Sequence, residues 1–230
     1  MKTILTMLAA VALLGSTASA QELTIYVGVK SDYSFSEFGF TQYDEPVLQG
    51  GITTSYGNGF FLDYWRSEAL DGNVQGREVD YTVGWAGACG NLSCSASISL
   101  FDIPTPNVGD LDFTGTDIIR FRATVSDTIE IDANNSINLM LGADQLTGLI
   151  ETNLWRTAAS WNHTVSESWS TNMLLGVTHS TDSDYTSPRW EASTTRSFEN
   201  WSLTLSVGGF NPSGPEAHHV TYGASVSRTW

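Results

Sequence analysis

Residues 78–85 read Glu-Val-Asp-Tyr-Thr-Val-Gly-Trp. Val79, Tyr81, Val83 and Trp85 are apolar or aromatic, and Glu78, Asp80, Thr82 and Gly84 between them are acidic, hydroxylated or small. A period of two places these rows on opposite faces of a strand, whereas a helix needs a period near 3.6. The pattern recurs in both directions along the chain. Leu23, Ile25, Val27 and Val29 alternate with Thr24, Tyr26 and Gly28. Ala96, Ile98 and Leu100 oppose Ser95, Ser97 and Ser99; Ile119, Phe121, Ala123 and Val125 oppose Arg120, Arg122 and Thr124. Trp201, Leu203, Leu205 and Val207 oppose Ser202, Thr204 and Ser206.

About twelve such segments are expected, near residues 22–33, 46–56, 59–67, 77–88, 94–101, 117–126, 136–142, 150–163, 169–180, 187–198, 201–209 and 218–230, with ten strands as the alternative count. Gly57-Asn58, residues 89–94, 165–168 and Glu199-Asn200 read as tight turns, and 34–45, 68–76, 102–116, 143–149, 181–186 and 210–217 as longer loops. Residues 127–135 break the alternation of short and long. Short turns on one side and long loops on the other are the habit of an outer-membrane barrel.

The polar rows decide between lipid and water. A soluble sandwich carries many charged residues outside, but here the polar rows are mainly Ser, Thr, Gly and Asn, and Lys30 is the one lysine after Lys2. Apolar rows facing hydrocarbon, polar rows facing a wet lumen, and closure of the sheet satisfy every backbone group. The expected fold is therefore all-β: a transmembrane, antiparallel, up-and-down barrel. Tyr26, Tyr56, Tyr81, Trp85, Trp155, Trp161, Trp169, Trp190, Trp201, Tyr222 and Trp230 are expected in its interfacial girdles.

Residues 1–20 differ from the rest. Met1 and Lys2 precede an apolar run from Ile4 to Leu14, and Ala18-Ser19-Ala20 supplies the small-x-small pattern of signal peptidase. A cleaved signal peptide (1–20), export, and a barrel domain over 21–230 in the outer membrane of a Gram-negative cell are expected. An uncleaved anchor is the weaker alternative, because the run is short for a bilayer. The net charge of −15 argues against nucleic acid as a partner, since phosphate binding needs clustered positive charge.

Cys89 and Cys94 flank a hairpin connection, so a disulfide is expected in an oxidising compartment; two thiols without nearby histidine make a metal site the weaker reading. In the last strand Val220, Tyr222, Ala224 and Val226 share the parity of Trp230. That pattern resembles the C-terminal signal read by the barrel-assembly machinery, an expected partner alongside outer-membrane lipid. Arg228 interrupts the row where a guanidinium can snorkel to the interface.

Four stretches, Val27-Gly28-Val29 with Ser31-Asp32-Tyr33, Pro46 to Gly51, Gly59-Phe60-Phe61, and Asp80-Tyr81-x-Val83-Gly84-Trp85, resemble in order and spacing the TorF-type porin family of Gram-negative outer-membrane proteins. Residues 25–101 carry the resemblance, which implies a porin-like role and no particular substrate. Ser34, Ser36 and Glu37 stand where that family tends to carry arginines.

Parity puts Arg120, Arg122, Arg156, Glu78, Asp80 and Glu191 on the lumen face, where opposed charges narrow a bore and orient ions. Asp63 follows only if Phe61 and Trp65 also enter the lumen. Charges in small barrels also pair to plug them, so a channel for small ions or solutes stands against a non-conducting scaffold or adhesin. Glu37, Asp44, Glu45, Glu68, Asp71, Asp102, Asp110, Asp112, Asp182, Asp184 and Glu216 give the long loops an acidic mouth. A membrane hydrolase is the remaining class, and His163, His179, His218 and His219 lie in no recognisable catalytic motif. No enzyme activity, cofactor or metal is expected.

Overall fold

The computed structural model describes residues 21–35, 38, 40–103, 118–211 and 218–230. Its strands are β1 (Gln21–Lys30), β2 (Tyr33–Phe35), β3 (Phe40–Tyr43), β4 (Val47–Tyr56), β5 (Phe60–Ala69), β6 (Glu78–Cys89) and β7 (Leu92–Asp102). They continue as β8 (Ile118–Asp132), β9 (Asn135–Gly148), β10 (Thr152–Ser166), β11 (Trp169–Ser180), β12 (Thr186–Phe198), β13 (Trp201–Phe210) and β14 (His219–Thr229). β1 and β4 to β14 form one closed barrel of twelve antiparallel strands, each beside its neighbour in the chain, with β1 against β14 as the seam. Val27 faces Val226 across that seam, and Trp230 donates its backbone N–H to Leu23 O at 3.0 Å. Closure leaves no edge strand exposed, which a bilayer requires.

The apolar rows point outward. Val27, Ile52, Ile98, Phe121, Leu141, Leu175 and Leu205 are all exposed on the outer wall, Leu175 at 67%. Ser67, Glu78, Ser99, Thr178 and Ser187 point into the barrel and are buried. On β13 and β14 the inward row is nearly all small and hydroxylic: Ser202, Thr204, Ser206, Thr221, Ser225 and Ser227, with Ser202 and Ser227 hydrogen-bonded at 2.7 Å.

Tight turns lie at one end and long connections at the other, and residues 127–135 keep to that rule. β8 runs to Asp132 because Ile129 and Ile131 continue the outer row, and the turn at Ala133-Asn134 is capped by Asp132, whose Oδ1 accepts the Asn134 N–H at 2.8 Å. The expected loop at 143–149 is mostly strand, since β9 continues to Gly148. Tyr26 also departs from expectation. It points into the lumen opposite Gly51 and is not part of a girdle.

Large inward side chains sit opposite glycines on the neighbouring strand. The register pairs Tyr26 with Gly51, Phe61 with Gly84, Arg156 with Gly142, Arg189 with Gly176 and Lys30 with Gly223. A Cβ at Gly142 would lie 3.2 Å from Arg156 Nη2, and one at Gly176 would lie 3.1 Å from Arg189 Nε. The missing side chain lets its partner lie along the wall.

At the tight-turn end the outer wall carries Trp169, Phe198, Trp201 and Trp230. Arg196 stacks on Trp169 and Phe198, with Cζ 5.3 and 4.7 Å from the ring centres, and Arg228 on Trp201 and Trp230 at 5.0 and 4.5 Å. The aromatic faces hold both guanidiniums where the wall leaves the hydrocarbon. Cys89 and Cys94 are bridged across the β6–β7 hairpin, with Cα atoms 5.9 Å apart.

Candidate functional site: a charged lumen beneath an in-folded hairpin

The inward parity of Glu78, Asp80, Arg120, Arg122, Arg156 and Glu191 follows from the register: Glu78 faces Ser67, Asp80 faces Trp65, Arg120 faces Ser99, Arg122 faces Asp144, Arg156 faces Gly142, and Glu191 faces Gly208. Asp63 points inward too, hydrogen-bonded by Thr53, and brings Phe61 and Trp65 with it. Three carboxylates from β5 and β6 thus face the same lumen as guanidiniums from β8 and β10, forming a band of charge around part of the wall. Arg189 and Glu191 on β12 and Lys30 on β1 also point inward, and β13 and β14 between them contribute mainly small side chains.

Sequence reading did not single out Asp144, which organises the basic side of the band. Its carboxylate accepts from Arg122 Nε at 3.0 Å and Nη2 at 3.1 Å, and from Arg156 Nη2 at 3.2 Å, while Arg156 Nε lies 3.1 Å from its other oxygen. Asp144 and Arg156 are each 3% exposed. Two forked donors on one carboxylate fix both guanidinium planes. The residue lay within a stretch expected to be a loop, which hid its parity.

Within the first long connection, residues 33–35 and 40–43 are strands. β2 and β3 form a short hairpin, Phe35 opposite Phe40, that folds into the mouth. Tyr33, 2% exposed, donates its hydroxyl to fully buried Glu78. Around it Tyr43, Val47 and Ala69 are buried against Phe35 and Trp65. Ring contacts run from Trp65 through Tyr33 and Phe35 to Phe38, with centroids 5.8, 4.8 and 6.0 Å apart. The hairpin is held on several sides: Asp32 Oδ1 lies 3.2 Å from His219 Nε2, Gln42 donates to Gln75 O at 2.9 Å, and Tyr185 donates to Phe38 O. Tyr43 donates to Asp71 at 2.6 Å; this bond holds the Asp71 carboxyl below its ordinary range and pushes the Tyr43 phenol up to about 12.

Much of the loop acidity is used structurally. Glu68 is bound by Arg66 and by Arg77 at 3.1 Å; the Asn153 N–H donates to Asp182 at 2.6 Å; Asp102 is buried. Glu37, Asp110, Asp112 and Glu216 lie outside the described residues. The histidines are dispersed. His163 bonds Asn135 at 2.9 Å near the tight turns, and His179 bonds Thr186 at 3.0 Å near the loops. Tyr222, Ala224, Val226 and Trp230 share the outer row of β14.

At the tight-turn end the bore opens as a cavity of about 710 Å³, lined by Glu22, Ser55, Ser197, Ser202, Ser227 and Thr229 among others. A second cavity, of about 390 Å³, lies at the loop end.

The fold is that of porin-like outer-membrane barrels. The KdgM porin matches at a TM-score of 0.58 and 10% identity over 90% of this chain and 98% of its own. The COG4313 outer membrane channel from Pseudomonas putida F1 matches at 0.58 and 11%, over 94% and 98%. The NanC porin matches at 0.57 and 8%, over 90% and 98%. No curated protein sequence matches the chain. A family model described as a bacterial protein of unknown function (Gcw_chp) matches residues 15–209, and the chain belongs to that family.

Proposed function

We propose that this protein is an outer-membrane channel for passive diffusion of small ions or polar solutes, exported by a cleaved signal peptide over residues 1–20 and inserted through recognition of its last strand at Tyr222, Ala224, Val226 and Trp230. The observation that carries this reading is the lumen row. Polar and charged side chains line a closed barrel whose outer wall is apolar, with Asp63, Glu78 and Asp80 on one side of the lumen and Arg120, Arg122 and Arg156, two of them around Asp144, on the other. Opposed charges in a narrowing select ions by sign and orient dipolar solutes. The resemblance of residues 25–101 to TorF-type porins agrees with this reading and names no solute.

A second reading rests on the hairpin. Anchored to β6, β14 and the β11–β12 connection, β2 and β3 narrow the mouth, as expected of a non-conducting scaffold. Planar bilayers separate the two. A channel gives unitary conductance steps, and replacing Arg120 and Arg122 by Gln raises the cation-to-anion permeability ratio by roughly twofold or more, as removal of fixed positive charge from a narrow pore requires. Silent bilayers with folded protein contradict the channel reading and favour the scaffold.

A further inference from the structure

Towards the loop end of β9 and β10 an apolar residue turns inward and polar ones turn outward. On β9, Leu146 points inward while Gln145 and Thr147 point outward; on β10, Leu154 points inward and Asn153 outward. Lower on β10 the order is reversed, with Trp161 outside and Ser160 and Asn162 inside. A wall that is polar outside and apolar inside is that of a barrel standing in water around an apolar interior. Here Leu146 and Leu154 line an apolar cup inside the wall, and Phe101 and Ile118 on β7 and β8 extend its lining.

Phe101, Ile118, Leu146 and Leu154 form a buried cluster with Phe38 and Ile103 packed against it, and they leave space beside it. A cavity of about 390 Å³ remains, bounded by Phe35, Phe101, Ile118, Leu146, Leu154 and Tyr185. No charged side chain lines it among the described residues. Polar groups at its rim are bonded to other protein atoms: Thr152 Oγ1 to Ser180 Oγ at 3.0 Å, Tyr185 to Phe38 O, and Gln42 to Gln75 O. Water needs two to four polar partners to occupy such a space, while an apolar cavity of about 150 Å³ already admits benzene. The dimensions fall within the range of small-molecule pockets.

We propose that this cup binds a compact, uncharged apolar molecule with two or three fused rings or a comparable alicyclic body, entering from the loop side. Apolar walls supply the affinity, and the charged groups beside them, Asp144 opposite Leu154 and Arg120 opposite Leu146, bound the cup. The inference does not depend on conduction, so it stands or falls separately from the channel reading.

Naphthalene is a suitable probe. Equilibrium dialysis of radiolabelled naphthalene against the full chain in detergent-free lipid nanodiscs, with empty nanodiscs subtracted, should show one saturable site per barrel. Leu146→Trp, which fills the cup with apolar volume, should weaken binding by about tenfold or more; Leu139→Trp on the lipid face should leave it unchanged. Heat-modifiable migration checks folding, and Ile118→Phe serves as a milder filling variant if Leu146→Trp misfolds. Uptake equal to that of empty nanodiscs, or equal binding by the filled and unfilled cups, would overturn the proposal.

Discussion

At the scale of single residues, Asp144 has the most to lose. Its carboxylate lies between the Arg122 and Arg156 guanidiniums in a wall position from which water is excluded, so the three groups form one electrostatic unit. Removing one member of a buried ion group leaves uncompensated charge, at a cost of about 3–5 kcal/mol. Asp144→Ala is therefore expected to lower the urea midpoint of the reconstituted barrel markedly, while Asp63→Asn, whose neighbour Thr53 can still hydrogen-bond it, should cost far less. Equal midpoints for the two variants would show that the triad contributes nothing special. The arginines of this triad were legible from parity alone. Asp144 was not, because Leu146 beyond it and Gln145 beside it invert the polar and apolar rows and make the strand resemble a loop.

At the scale of elements, the period of two sufficed wherever an apolar row met lipid, which is why β1 and β4 to β14 were all anticipated from sequence. Short pieces were not. Tyr33 to Phe35 and Phe40 to Tyr43 are three and four residues long, too brief for periodicity to register; tertiary anchors, Glu78 for Tyr33 and Asp71 for Tyr43, hold them in place. Neighbouring strands are matched through glycine and large-residue pairs that no single strand reveals. Gly51 is a demanding one: a Cβ there would lie 2.7 Å from both Tyr26 Cε1 and Tyr64 O, and the backbone oxygen cannot step aside. Gly51→Ala should destabilise the barrel by about 1–3 kcal/mol, as overpacking does. Gly142→Ala, whose nearest contact is the longer 3.2 Å to Arg156 Nη2, should cost less. Urea titrations of both variants in the same lipid test the contrast, and the reverse order would refute it.

At the scale of the whole molecule, three zones line the barrel: a polar vestibule at the tight turns, and, in the loop-side part, a charged band alongside an apolar cup. The first two follow from one rule, apolar rows outward and polar rows inward. The third breaks that rule on β9 and β10 near the loops. A single rule of parity therefore recovers the barrel and its charges but not the cup. The central claim is that successive residues of one strand meet lipid and lumen in turn, and spin labels can read it directly. Nitroxides placed singly at Leu203, Thr204, Leu205 and Ser206 of β13, in a Cys89→Ser/Cys94→Ser background reconstituted in bilayers, report collisions with oxygen and with a water-soluble nickel chelate. Oxygen-favoured contact at 203 and 205, with chelate-favoured contact at 204 and 206, is the expected result. Uniform accessibility, or the opposite alternation, would contradict it.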